Sequence, residues 1–158
     1  MDSKVELYLK RSRTEMNMGI LLLKSSGTEL LNDFDIPKDE TFYSGVISHC
    51  YYSIFYSAKA MLLTKGIDTK APGVHKKTID EFKKQFIDTG ILDMKLLMIY
   101  KKMIVKAESL LLIFKSEKKK RGDFTYNTIA QANIDPANES LDNAKIFFKH
   151  CNAYLTQT

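Results

Sequence analysis

Most alternatives to a helical protein need something this sequence has little of. Its 158 residues include two cysteines, three prolines, seven glycines and no tryptophan. Cys50 and Cys151 stand roughly a hundred positions apart with no CxxC or Cys-His spacing, which suggests neither a disulfide scaffold nor a zinc site. Two buried thiols in a reducing compartment are the expectation. So few prolines and glycines leave an all-β sandwich without the turn residues it needs at every hairpin. The most apolar stretch, Leu96 to Phe114, carries Lys101, Lys102, Lys106 and Glu108, which would be costly in a bilayer core. The opening MDSKVELYLKRSRTEM is broken by charges before a signal-peptide core could form, so no export, no membrane and a cytoplasmic location are expected. HExxH, paired carboxylates on one helix face, a P-loop and a Gly-rich dinucleotide fingerprint are also absent. Metal and dinucleotide chemistry are disfavoured, and no cofactor is expected.

What remains is rich in Leu, Lys, Met and Ala, with 44% hydrophobic residues, 27% charged residues and a formal charge of +5. That composition excludes a disordered chain and an acidic tail, and the length suits one domain over residues 1–158. Val5, Leu9, Met16, Ile20 and Leu23 keep one helix face apolar between Ser3 and Lys24, with Ser12 and Gly19 as small residues near it. SSGTELLNDFDIPKDE then reads as a connection or a short extra turn.

From Asp39 to Lys65 the strongest pattern in the chain predicts a long buried helix: Tyr43, Val46, Ile47, Cys50, Tyr51, Ile54, Phe55, Ala58, Met61 and Leu62. Gly66-Ile67 offers it a Schellman-type stop. A third helix is expected from Gly73 to Asp88, ending at Thr89-Gly90-Ile91 by the same chemistry. The fourth, Asp93 to Lys120, places Leu96, Leu97, Tyr100, Met103, Ile104, Ala107, Leu110, Leu111 and Phe114 on one face, while Leu112 and Ile113 widen it. Such width calls for cover from two sides, by other helices or by a second subunit. After RGDFTYNTIAQANIDP, Asp135-Pro136 reads as the N-cap and first residue of a last helix whose face is Leu141, Ala144, Phe148, Cys151 and Leu155. The fold class is all-α, an antiparallel up-and-down bundle of four to five helices.

Few residues suggest chemistry. Lys115 to Arg121 carries +4, most of the net charge, and suits either phosphate binding or a solvated helix end. The sequel Gly122-Asp123-Phe124-Thr125-Tyr126 adds a turn, a carboxylate and two rings able to stack on a base. His49, Tyr52 and Tyr56 fall at i, i+3 and i+7 on the second helix, lining a cleft or packing with their polar tips in solvent. His75, after Lys70 and beside Lys76 and Lys77, reads as a phosphate donor, a general acid or base, or a cap. His150 has no supporting group near it in sequence.

The middle of the chain resembles the HEPN domain, the higher eukaryote and prokaryote nucleotide-binding family, and within it the small prokaryotic single-domain members. The resemblance rests on Tyr51-Tyr52-Ser-Ile-Phe55-Tyr-Ser-Ala58-Lys-Ala60-Met-Leu62-Leu63-Thr-Lys-Gly66-Ile67, then His75, Phe82 and Phe86-Ile-Asp-Thr-Gly90-Ile-Leu92-Asp93, in the family's order over Ser48 to Phe124. It implies an antiparallel helical bundle, a homodimer, and frequent pairing with a nucleotidyltransferase in toxin–antitoxin or defence systems. Active members are metal-independent RNases with an Arg-x(4–6)-His motif. Here Arg121 is followed by Gly, Asp, Phe, Thr, Tyr, Asn and Thr, so that histidine has no counterpart. The segment is closer to an Arg-x-x-x-Asp-Tyr variant, with Lys119 or Arg121 as cation, Asp123 as acid and Phe124 at the aromatic position. Without the imidazole, RNA cleavage loses a contribution of about 10²–10⁴-fold.

The leading expectation is therefore a non-catalytic or weakly active HEPN protein that dimerises and binds RNA or nucleotide at a basic cleft. Lys119, Lys120 and Arg121 would hold phosphate, Phe124 or Tyr126 would stack, and His75 with Asp123 would set orientation. Two alternatives stand beside it. One is an RNase with an atypical site, His75 as base and Arg121 stabilising the phosphorane. The other is an interaction module, in which Leu112, Ile113 and the tyrosine stripe bind a nucleotidyltransferase.

Overall fold

The structure is a computed structural model that describes residues 1–119 and 133–158, with the side chains of residues 1–111 and 133–158. It is all-helical among those residues, in the order α1 Ser3–Ser25, a 3-10 turn Glu29–Phe34, α2 Tyr43–Leu63, α3 Val74–Phe82 continued by a π turn Lys83–Ile87, α4 Met94–Lys119 and α5 Ile134–Gln157. Side-chain pairs give the helix directions. Residues rising along α1 meet residues falling along α2: Ser12 bonds to Ser57 and Ser53, Glu15 to His49, and Leu22 lies against Gly45. Lys106 with Glu139 and Tyr100 with Phe147 run α4 against α5 in the same way. Antiparallel neighbours are the up-and-down arrangement that the periodicity predicted.

α1 opens on Asp2, whose side chain accepts from the Lys4 N–H at 2.7 Å. Its buried face differs from the expected one. Val5 and Leu9 lie in the core, but the face continues through Ser12, Glu15 and Gly19, while Met16, Ile20 and Leu23 are half-buried. Gly19 is needed for close approach: a Cβ there would sit 3.2 Å from the Cys50 Sγ. Ser12 satisfies its buried hydroxyl on α2, donating to the Ser53 carbonyl at 2.6 Å and bonding the Ser57 hydroxyl at 2.7 Å.

α2 starts at Tyr43 instead of Asp39, because the preceding backbone is tied to the end of α1. The Gly27 N–H donates to the Glu40 carbonyl at 2.8 Å, and the Phe42 N–H to the Ser26 hydroxyl at 2.9 Å. The expected stop is present. Ile67 N–H reaches the Leu62 carbonyl at 3.0 Å and Gly66 N–H the Leu63 carbonyl at 2.9 Å, with Gly66 at φ 72°, the two bonds of a Schellman closure.

The third helix is not one regular helix from Gly73 to Asp88. Gly73 is a left-handed cap at φ 68°, and from Lys83 the ladder widens, with the Asp88 N–H reaching the Lys83 carbonyl at 2.9 Å. A π turn fits more residues into each turn, so Phe82, Phe86 and Ile87 all enter the core. At its end Gly90 takes φ 74°, but Leu92, not Ile91, closes the turn, donating to the Phe86 carbonyl at 2.8 Å, and Ile91 stays exposed.

Along α4, Leu96, Leu97, Tyr100, Met103 and Leu110 are buried, whereas Leu111, expected on that face, points outward. Phe114 and the widening residues Leu112 and Ile113 lie outside the described side chains. α5 begins two residues before the expected Asp135-Pro136. Asn133, in extended backbone, is its cap, and Pro136 falls within the first turn, where a missing N–H costs no ladder bond. Its core aromatic is Phe147, not Phe148, which is half-buried with the Arg13 guanidinium 5.5 Å from its ring. Cys50 and Cys151 are free and buried, and burial raises both thiols, Cys50 to about 12. Among the described residues no helix is long and apolar enough to cross a membrane.

Candidate functional site

The i, i+3, i+7 spacing of His49, Tyr52 and Tyr56 puts them on one face of α2, and the fold brings α1 and the start of α3 against that face. Tyr8 of α1 stacks on Tyr56 with centroids 6.0 Å apart, Tyr56 lies 6.4 Å from Tyr52, and Tyr52 meets His75 of α3 edge-on at 6.1 Å. The result is a continuous strip of four rings. Tyr52 is 39% exposed, and Tyr8 and Tyr56 are half-buried. The interior does not account for this exposure.

His75 is held from two directions. Its ring stacks on Phe55 at 4.4 Å between centroids, and its Nδ1 lies 2.6 Å from the Tyr51 hydroxyl. Desolvation by that cover, with the Lys59 ammonium nearby, keeps its pKa below the ordinary histidine value, while burial raises the Tyr51 hydroxyl. The protonated phenol and Nδ1 share one hydrogen bond, and near neutral pH the neutral His75 ring is a stacking surface instead of a cation.

Cations come from neighbours. Arg11 lies 5.4 Å from the Tyr56 ring centre, and the Lys59 Nζ 4.9 Å from that of Tyr8. Lys59 is itself buried, donating to the Thr69 carbonyl at 2.8 Å with Asp68 at 3.8 Å. Asp68 accepts from Lys4 at 2.6 Å, and this hydrogen bond holds its carboxyl below the usual carboxylate value. Lys70 and the α3 lysines Lys76 and Lys77 are exposed on the His75 side.

One turn before Tyr52 on α2, His49 Nδ1 lies 2.6 Å from Glu15 Oε2, and Arg11 Nη2 lies 2.9 Å from Glu15 Oε1. Glu15 is 4% exposed. A carboxylate so deep is tolerable because His49 hydrogen-bonds it and Arg11 pairs with its charge.

The structure thus joins His49, Tyr52, Tyr56 and His75 into one surface, although the sequence offered His75 and the α2 stripe as separate candidates. It adds Tyr8, Arg11, Glu15 and Lys59, which the sequence reading did not single out. Glu15 had a visible signal: a carboxylate between Ser12 and Gly19, at the spacing of the buried face. The Lys119 side chain, and Lys120, Arg121, Asp123, Phe124 and Tyr126, lie outside the described residues, so the structure does not place them relative to His75. Among the described residues His150 bonds only back to the Ile146 carbonyl of its own helix, at 2.8 Å.

The model of the HEPN domain matches residues 22–120, more than half of the chain. The chain belongs to the HEPN domain family. Among its relatives are two proteins of Methanocaldococcus jannaschii whose names read "putative toxin". One is 46% identical over 55 residues, 35% of this chain and 35% of that protein. The other is 33% identical over 82 residues, 52% of this chain and 56% of that protein. A "UPF0332 protein" of Pyrococcus horikoshii is 33% identical over 90 residues, 57% of this chain and 51% of that protein. The matched segments span between about a third and somewhat over half of these relatives' lengths. No solved structure gives a significant match. The ring strip of this HEPN domain, from Tyr52 through Tyr56 to His75, falls inside the matched residues, whereas Tyr8, Arg11 and Glu15 precede them.

Proposed function

We propose that this HEPN domain binds single-stranded RNA or a nucleotide on the α1–α2–α3 strip and serves in a toxin–antitoxin or defence-type system of the cytoplasm. The observation that carries the reading is the unbroken row of half-exposed rings from Tyr8 to His75, with Arg11 beside Tyr56 and the exposed Lys70, Lys76 and Lys77 close in the chain to His75. Bases stack on such rings whatever their sequence, and cations take the phosphates. The run ending in Lys119, Lys120 and Arg121 supplies further positive charge, and Asp123, Phe124 and Tyr126 further polar and stacking groups. The names of the relatives support the toxin-type setting.

Binding of labelled single-stranded RNA and of ATP across a salt series tests the reading. Affinity should fall as salt rises, and Lys119→Ala, Lys120→Ala and Arg121→Ala together should weaken binding and flatten the salt dependence. Affinity that ignores salt and the triple substitution would overturn it.

A second reading draws on a different surface. Met94, Met98 and Val105 form an exposed row on α4, each more than half exposed. Such a row supports a protein contact, with a second copy in a homodimer or with a nucleotidyltransferase partner. Its signature is association that tolerates high salt and is lost in Met98→Glu with Val105→Glu.

A further inference from the structure

A cavity of about 580 Å³ opens between α4 and α5, on helices that carry none of the ring strip. Small-molecule sites have volumes of about 300–1,000 Å³ and walls that are mostly apolar with a few charged or polar groups. Met98 and Val105 of α4 and Pro136 of α5 give this one an aliphatic wall, and three lysines of α4 outnumber Glu139 of α5 in its lining. Lys106 is the unexplained group among them. Its side chain is 16% exposed, and its Nζ is buried and makes no hydrogen bond among the described residues. Glu139 Oε1 lies 3.4 Å away on a side chain that is 53% exposed, so it offsets the charge of Lys106 without satisfying its donors. An ammonium has three donors and no acceptor, and burying it without hydrogen bonds is costly. The partner that this pocket lacks is an oxygen anion carried on an apolar body. No ring lines it, so a base finds nothing to stack on, whereas a thioether and branched aliphatic groups suit a flexible chain.

We infer that the α4–α5 pocket binds an aliphatic carboxylate, with the chain on Met98, Val105 and Pro136 and the carboxylate on the Lys106 ammonium. Lys106 reaches it by a turn of its long stem, which carries Nζ from beneath the wall to the ligand. The incoming carboxylate replaces Glu139 Oε1 and accepts the hydrogen bonds that Lys106 does not make. Lys101 and Lys102, both exposed, hold positive charge at the entrance and favour the acid over a neutral chain. The inference does not depend on RNA binding by the ring strip.

Titration calorimetry of the full chain with hexanoate, octanoate and decanoate, each below its micellar concentration, tests it. Affinity should rise about fourfold for each methylene that enters the pocket. Decanol, with the same chain and no charge, should bind wild type about tenfold more weakly than decanoate. Lys106→Met keeps a long apolar side chain without the ammonium and should abolish most of that preference, while Lys24→Met, at an exposed lysine of α1, should retain it. Val105→Trp fills the wall from a position that is 59% exposed, so the fold should survive while acid and alcohol both bind more weakly. Each variant is checked for native helix content. Three results overturn the inference: no binding of any acid to wild type, affinity that ignores chain length, or an acid-over-alcohol preference that persists in Lys106→Met. If wild type binds no acid and Val105→Trp instead changes self-association, the groove belongs to a protein contact. RNA binding by the strip stands or falls separately.

Discussion

Two networks of rings set the interior of this HEPN domain against its surface. Phe82, Phe86, Tyr100 and Phe147 sit with centroids 5.4–6.0 Å apart and no solvent exposure. Tyr8, Tyr56, Tyr52 and His75 are spaced at 6.0–6.4 Å but face water, with Arg11 and Lys59 beside them. The first network is three-quarters phenylalanine and closes α3, α4 and α5 over one another. Every ring of the second carries a polar atom, as suits rings with one side in the fold and one in water. Burial explains the first set completely, and the second set is where a function has to be sought.

The largest effect should come from breaking the interior. Phe147→Ala removes a fully buried ring from between α3 and α4, and should cost about 3–5 kcal/mol in denaturant unfolding. Tyr52→Ala should do the reverse. Its ring is partly in solvent, so unfolding should change little, while RNA affinity should fall by about 1–3 kcal/mol if one base stacks there. A Tyr52→Ala protein that is badly destabilised would place the strip with the core.

A smaller change sharpens the contrast from inside. The Tyr100 hydroxyl is buried and bonds to nothing among the described residues, so Tyr100→Phe should raise stability by about 1 kcal/mol. The smallest effect is on pH dependence. The folded pKa of His75 lies below its unfolded value, so the unfolded chain takes up the proton first. Its stabilising contribution is complete above about pH 6.5, the ordinary histidine value, and is lost as pH falls through the window below it. The thermal midpoint should therefore drop on acidification from about pH 7, and His75→Phe should flatten part of that drop.

Local chemistry was legible in the sequence. The α2 core spacing and the Gly66-Ile67 stop depend on residues close together in the chain, and both stand in the structure as read. So does the His49–Tyr52–Tyr56 spacing, which a single helix determines. Where two neighbours fit one pattern equally, periodicity had no way to choose. Phe147 and Phe148 both suit a face containing Ala144 and Cys151, and only the packing of α3 and α4 decides for Phe147. Asn133 and Asp135 are both good caps, and the helix uses the earlier. The strip was half legible for the same reason: Tyr8 and Lys59 join it through the packing of α1 and of the 68–69 turn, and Glu15 is buried by a partner 34 residues away.

The most direct test of the central claim is fluorescence anisotropy of labelled single-stranded RNA with wild type and with the Tyr52→Ala/Tyr56→Ala double variant, over a salt series. Salt-sensitive binding by wild type, weakened in the double variant while its thermal unfolding is preserved, is the predicted result. Equal affinity in the two folded proteins would contradict the account and leave the strip without a role in RNA binding.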